Sequence, residues 1–260
     1  MAFSFTGCGY EAEGENVLSA GLPGGETEVD LGASAAEDET AESSELPQSE
    51  SEPEPSVSEG EATEEEKIEA VCGAGMEMTF CIFTPNGNNG TGFLYKEKYV
   101  ITNAHVLYEA DAFTLVDFKG QEHKGAVIFK DDGTDIAIIQ VDDCQGGSVE
   151  FGDSDSVSVG ESVVLIGNPV DGEPFSFCTG KRVELGEKLH QQLNLKDLYI
   201  PLDANIVSGY SGGPVFNLDG KLIGISNAAF LGDLSAYNLK HLSLIIPINR
   251  VMEQIETNCQ

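Results

Sequence analysis

From Met76 onward the chain alternates short apolar runs with Gly, Asn and Asp: MTFCIFT, FTLVDF, GAVIFK, DIAIIQV, ESVVLIGNP, LYIPLDA, GGPVFNL and GKLIGIS. Runs of this length, rich in β-branched and aromatic residues and bounded by turn formers, predict an all-β sandwich or barrel. The turn chemistry agrees, since NGNNG, DDG and LDG suit hairpin connections. Two stretches depart from the strand pattern. ITNAHVL reads as a short turn after a strand. The segment 247–258 (PINRVMEQIETN) opens on proline and carries apolar residues at helical spacing, which predicts a C-terminal helix.

Residues 11–70 show no such pattern. AAEDETAESSELPQSESEPEPSVSEGEATEEE holds Glu, Ser, Pro and Ala without one aromatic residue. It cannot bury enough apolar surface to offset the entropy of ordering, so a disordered acidic linker is expected over 1–70. The folded domain is expected over 71–260, from the composition change near Val71. Charge sharpens the division: residues 1–70 hold 20 Asp and Glu against a single basic residue, Lys67. The whole chain carries a formal charge of −32. Such an acidic excess argues against a nucleic-acid partner, whose phosphates are bound by clustered Lys and Arg. Self-repulsion along the arm keeps it extended and soluble.

The chain has 6 cysteines, at positions 8, 72, 81, 144, 178 and 259. Their spacing fits neither a zinc ribbon nor a redox CxxC pair, and no metal or cofactor is expected. Disulfides and buried free thiols both remain open for them. Phe5-Thr6-Gly7-Cys8 resembles the lipobox of bacterial lipoproteins, in which the cysteine is lipidated. That resemblance implies an extracytoplasmic protein held at the outer face of a bacterial membrane through Cys8, with the acidic arm as a spacer. No segment approaches the length of a transmembrane helix.

Three segments carry chemistry. In Gly209-Tyr210-Ser211-Gly212-Gly213-Pro214, the glycines let the backbone curl around an exposed serine hydroxyl. The N–H groups of Gly209 and Ser211 are then candidates to face a developing oxyanion. An ordinary glycine-rich hairpin is the plain alternative. In Thr102-Asn103-Ala104-His105-Val106, His105 follows a strand, a rigid place for a general base. His123, His190 and His241 lack such a context and read as surface or packing residues. In Thr134-Asp135-Ile136, an acid opens a wholly apolar strand and needs a partner there. An imidazole N–H is one such partner, and the pairing would fix the tautomer that a base requires. Asp131 and Asp132 lie in a turn and are expected in solvent.

Taken in the order His105, Asp135, Ser211, these pieces resemble the chymotrypsin-like serine proteases, and among them the bacterial HtrA (Deg) branch. TGFLYKEKYVITNAHVL, GTDIAIIQVD, FGDSDSVSVGESVVLIGNPV, LDANIVSGYSGGPVFNLDGKLIGI and LIIPINRV are similar to the branch's motifs in the same order. The resemblance covers about 190 residues, from the strand before Pro85 to the last helix. It implies two perpendicular six-stranded Greek-key β-barrels with a C-terminal helix, and catalysis through an acyl-enzyme in the cleft between them. Ser211 would be the nucleophile, His105 the base and Asp135 its orienting acid, with Gly209 and Ser211 forming the oxyanion hole. Substrates would be exposed or unfolded polypeptide segments. Ile206 and Phe230 would line an apolar specificity pocket, favouring small or medium apolar residues. Ser226 and Asn227 would pair substrate backbone as an added strand. Tyr210 stands where HtrA proteins usually have Asn, and could reshape the oxyanion loop. A catalytically silent binding module with the same fold is the competing reading. The chain stops soon after Arg250, so the PDZ domain typical of HtrA proteins is not expected in it.

Overall fold

Strand-length apolar runs pair into two antiparallel sheets in the computed structural model. It describes residues 62–260 except 109, 111, 142, 143, 145, 146, 194, 196, 197, 232 and 233, together with the backbone of 5–6. Cys8 and the bulk of the acidic arm, 7–61, lie outside the described residues. The elements run β1 (Phe5–Thr6), α1 (Glu64–Glu77), β2 (Thr79–Phe83), β3 (Asn89–Tyr95), β4 (Tyr99–Thr102), β5 (Thr114–Asp117), β6 (Glu122–His123), β7 (Gly125–Asp131) and β8 (Ile136–Val141). They continue with β9 (Ser162–Gly167), β10 (Ser176–Arg182), α2 (Glu187–Leu193), β11 (Ile200–Ala204), β12 (Pro214–Asn217), β13 (Leu222–Phe230), β14 (Ser243–Pro247) and α3 (Ile248–Asn258).

The first sheet has the order β6-β5-β2-β3-β4-β8-β7, and the second β1-β13-β12-β9-β10-β11-β14 with β13 also paired to β14. That extra pairing closes the second sheet into a six-strand barrel. β13 manages it by length, since its first residues pair with β12 and its span from Gly224 to Ala229 pairs with β14. Register shifts at Val215/Phe216 and Ser226/Ala228 mark bulges that bend the strands around the corner. Apart from β1 and β6, each sheet repeats one connectivity: β5-β2-β3-β4-β8-β7 matches β12-β9-β10-β11-β14-β13 position for position. The chymotrypsin-like double barrel is therefore present, with one correction. Among the described residues the first half stays open, because β5 pairs with the two-residue β6 where closure would need β7.

A shared core joins the halves. Phe93, Ile101, Ile136 and Ile138 from the first sheet meet Val164, Ile166, Phe216, Ile225 and Ile246 from the second. α3 covers this core with Ile248, Val251 and Ile255, as the helical spacing predicts. α1 covers it too, and here the sequence-based boundary needs correcting. Val71 falls inside α1, which begins at Glu64 behind a capping box of Thr63 and Glu66. Val71, Cys72 and Gly75 are buried in it, with Ile68 and Met76 packed alongside. These positions follow i, i+3, i+4 spacing, so the acidic first turn belongs to a folded helix. α2 is a second helix absent from the sequence-based expectation, and Leu189 and Leu193 seat it on Phe230, Leu242 and Leu244.

Cys72, Cys81, Cys144, Cys178 and Cys259 are free thiols. Burial pushes the Cys81 thiol up to about 12. His123, expected at the surface or in packing, is buried and its Nε2 lies 2.9 Å from Asp117 Oδ2. Burial pushes the Asp117 carboxyl up, but hydrogen bonds from His123 and from the Gln121 and Lys119 N–H groups outweigh it. The carboxyl therefore ionises below its ordinary range.

Two outcomes test this packing. A Cβ on Gly75 would lie 2.4 Å from Ile166 Cδ1 and 2.9 Å from Phe216 Cε2. Gly75→Val should therefore lower unfolding free energy by about 1–3 kcal/mol in urea titrations, by overpacking. Because the Asp117 carboxyl is lowered in the fold, its contribution is complete above about pH 4 and is lost as pH falls through the folded value. The stability gap between wild type and Asp117→Asn should shrink accordingly in unfolding titrations run down the acid range.

Candidate active site

Asp135 organises the first half of the site. It precedes β8 with φ of 58°, a left-handed backbone that Asp tolerates better than most residues. In this conformation its carbonyl accepts from Asn103 Nδ2 at 3.0 Å and from the Ala104 N–H at 3.2 Å. Its carboxylate meanwhile accepts from the His105 N–H at 2.9 Å. These bonds anchor the 3₁₀ turn Ala104–Leu107, which carries His105 directly after β4, while Val106 and Leu107 plug into the first-sheet core.

The His105 ring lies against the same acid, with Nδ1 2.7 Å from Asp135 Oδ2. An ionised carboxylate only accepts, so Nδ1 carries the proton and Nε2 of the neutral ring keeps its lone pair. Nε2 is buried and has no hydrogen-bond partner among the described residues. Asn227 Nδ2 donates to Asp135 Oδ2 at 2.6 Å. The carboxylate is thus held from both halves of the molecule.

Ser211 comes from the second half, on the turn before β12. Its hydroxyl donates to the Asn227 carbonyl at 3.1 Å. The Ser208 carbonyl accepts from the Val170 N–H at 3.0 Å, and the Tyr210 carbonyl from the Gly213 N–H at 2.9 Å. In a trans peptide the following N–H points the opposite way. The Gly209 and Ser211 N–H groups are therefore turned away from those partners, and neither donates to the protein among the described residues. Gly209 has φ of 102°, and a Cβ there would sit 2.0 Å from the Asn168 carbonyl oxygen, so only glycine fits.

Tyr210 does not enter the cleft. Its side chain is buried inside the closed barrel with Leu165, Ile206, Val215 and Ile223. The space for the ring comes from Gly167, where a Cβ would lie 2.5 Å from Tyr210 Cγ. Burial, with Cys178 nearby, pushes the phenol well above the ordinary tyrosine range, so it stays neutral.

A pocket of about 230 Å³ opens beside Ser211, lined by Asn205, Ile206, Val207, Ser208, Asn227, Ala228, Ala229 and Leu231. Ile206 lines it, and Phe230 does not. Strand alternation turns the Phe230 ring to the opposite face, among Leu189, Leu193 and Leu244 beneath α2. Ser226 also departs from its expected part. Its N–H donates to the Gly213 carbonyl and its carbonyl accepts from the Gly212 N–H, both at 2.8 Å, so its backbone is already paired. Asn205, Val207 and Leu231 were missed by sequence reasoning. Asn205 and Val207 flank Ile206 in one loop, a proximity that could have flagged them. The bond from Asn227 to Asp135 had no local signal. Beyond Ile225, β12 leaves one edge of β13 free, and β1 pairs there with Ala229 and Phe230.

Residues 90–225 match the profile of the trypsin-like peptidase domain. The chain belongs to that family. It is 35% identical over 168 residues to a protein of Halomonas elongata named a probable periplasmic serine endoprotease, DegP-like, covering 63% of this chain and 34% of that one. A Rhizobium meliloti protein of the same name is 37% identical over 147 residues, covering 54% and 28%. The chain thus spans about a third of the length of these curated relatives. Among solved structures, the HtrA-type protease AlgW with a decapeptide superposes with a TM-score of 0.61 at 23% identity, covering 72% of this chain and 66% of that one. This chain therefore has a trypsin-like fold, similar to that of the HtrA-type protease AlgW.

The fit between Gly167 and Tyr210 generates a prediction. Gly167→Ala should cost about 1–3 kcal/mol by overpacking the barrel against the ring. In a Tyr210→Ala background that cost should fall only in part, because the Cβ would still lie 2.9 Å from the Cα of residue 210, leaving a coupling measurable in a double-mutant cycle.

Proposed function

We propose that this chain is a serine endopeptidase that cleaves exposed or unfolded polypeptide segments through an acyl-enzyme. The observation that carries the reading is the pairing of His105 with Asp135 across from Ser211, beside a pocket and a turn with two undonated N–H groups. Ser211 Oγ attacks the scissile carbonyl carbon while its proton passes to His105 Nε2. The carbonyl oxygen becomes an oxyanion facing the Gly209 and Ser211 N–H groups. The proton then moves to the leaving amine as the C–N bond breaks. Water, deprotonated by His105, next attacks the acyl carbon and restores the serine.

The apolar lining of the pocket by Ile206, Val207, Ala228 and Leu231, with no charged side chain, supports cleavage after small or medium apolar residues. Substrate backbone would add to the β13 edge at Asn227–Ala229, which cleavage ahead of a lipidated Cys8 would clear of β1. The relatives named as periplasmic support an extracytoplasmic site of action. Lipidation of Cys8, with the acidic arm as a tether and the peptidase domain following it, completes the proposal.

The second reading is a catalytically silent binding module. The bond from Ser211 Oγ to the Asn227 carbonyl, which leaves His105 Nε2 without a partner, favours it. A fluorophosphonate probe and an unfolded casein substrate separate the two. The endopeptidase should be labelled and should cut casein after apolar residues, while Ser211→Ala should lose the label and roughly 10⁴-fold or more of the rate. A wild type that binds casein but takes no label and makes no cut would establish the binding module instead.

A further inference from the structure

The oxyanion turn is built on the closed barrel, yet its tightest constraint comes from the open sheet. Thr91 lies on β3, fully buried, and reaches the turn twice. Its N–H donates to the Ser211 carbonyl at 2.8 Å, and its hydroxyl donates to the Gly209 carbonyl at 2.6 Å. The direction of the second bond is forced. A threonine hydroxyl has one proton and two lone pairs. Both lone pairs are engaged, by the Asn168 N–H at 3.0 Å and by Asn168 Nδ2 at 3.2 Å. The one proton is left for the Gly209 carbonyl.

The consequence lies in which peptide planes are held. Four successive planes make up the turn. Val170 holds the Ser208–Gly209 plane and Gly213 the Tyr210–Ser211 plane, both from within the second half. Thr91 holds the carbonyl side of the other two, Gly209–Tyr210 through its hydroxyl and Ser211–Gly212 through its backbone, while their N–H sides go to the Val207 carbonyl at 3.2 Å and the Ser226 carbonyl at 2.8 Å. Gly209 is the residue of the turn most able to flip, since it has no Cβ and already sits at positive φ. With both of its flanking planes pinned, the direction of its N–H is fixed. Asn168 is itself immobilised, donating from Nδ2 to the Phe80 carbonyl and accepting at Oδ1 from the Phe175 N–H and the Cys81 thiol.

We propose that Thr91 is a positioning residue, whose side-chain hydroxyl holds the oxyanion turn in its working form from the opposite sheet. The proposal rests on the endopeptidase reading above and deepens it. It assigns work to the hydroxyl itself, beyond the backbone bond that any residue at position 91 could make.

The test uses the full chain with Thr91→Val, which keeps the β-branched shape without the hydroxyl, and Thr91→Ser, which keeps the hydroxyl. Each is assayed for kcat and KM on a peptide substrate. Each is also assayed for binding of a peptide aldehyde, which forms an oxyanion with the serine, and of the matching peptide alcohol, which does not. Thr91→Val should lose about ten- to a hundred-fold in kcat and in aldehyde affinity, with KM and alcohol affinity held within about twofold. Thr91→Ser should recover most of the loss. A Thr91→Val enzyme with kcat within about twofold of wild type overturns the proposal. Equal losses for aldehyde and alcohol, or a Thr91→Ser variant as impaired as Thr91→Val, do so as well. If Thr91→Val does not fold, Thr91→Ala takes its place under the same criteria. A wild type inert to the fluorophosphonate overturns the endopeptidase reading and this one together. A reactive wild type whose Thr91 variants are unchanged overturns this one alone.

Discussion

Two backbones approach one another closely where the turn carrying Ser211 meets the first sheet, and this approach governs much of the sequence around the site. Gly212 leaves no room for a side chain, because a Cβ would lie 2.2 Å from both Thr102 Oγ1 and the Thr91 carbonyl oxygen. Gly213 is confined in the same way, 2.2 Å from the Ile166 carbonyl oxygen. On the first sheet Gly90 makes matching room, with Val106 side-chain atoms at 2.6 and 2.7 Å and the Ser211 carbonyl oxygen at 3.1 Å from a notional Cβ. Glycine on both sides of the seam lets polar backbone meet polar backbone, so the buried groups there are satisfied across the join.

Around that seam the polar network has one purpose at each point. Asp135 fixes the His105 turn by backbone bonds and the ring by its carboxylate, so one residue sets both position and tautomer. Asn227 links that carboxylate to the strand carrying the pocket wall, through Nδ2 on one side and its carbonyl to Ser211 on the other. Breaking such a buried polar pair leaves a group unsatisfied, which costs more than the bond contributes on its own. The cluster therefore resists drift of any one member.

Much of this was legible in the sequence because it depends on local chemistry. Apolar runs and turn formers give the strands, PINRVMEQIETN gives α3, and the runs around His105, Asp135 and Ser211 mark what meets at the seam. What was not legible depends on distant residues. α1 was hidden by its acidic first turn, although Ile68, Val71, Cys72, Gly75 and Met76 hold helical spacing and Thr63 with Glu66 makes a capping box. The Phe230 side chain follows strand alternation, but the β-bulge at Ser226/Ala228 decides which face that alternation presents. Whether Tyr210 would crowd the cleft depended on Gly167, 43 positions away and meaningful only once the barrel brings the two into contact.

The repeated strand order has a consequence for how the molecule can change. One copy is locked into a ring by β13 and the other is left open at β5 and β7. The ring holds Ser211 and the open copy holds His105, so the two groups that the proposed chemistry needs are mounted on frames that differ in closure. The shared core of Phe93, Ile136, Ile166, Phe216 and Ile246 lies between those frames. A methyl group gained or lost in that core, far from any polar group, would be felt by both frames at once, because both pack against it.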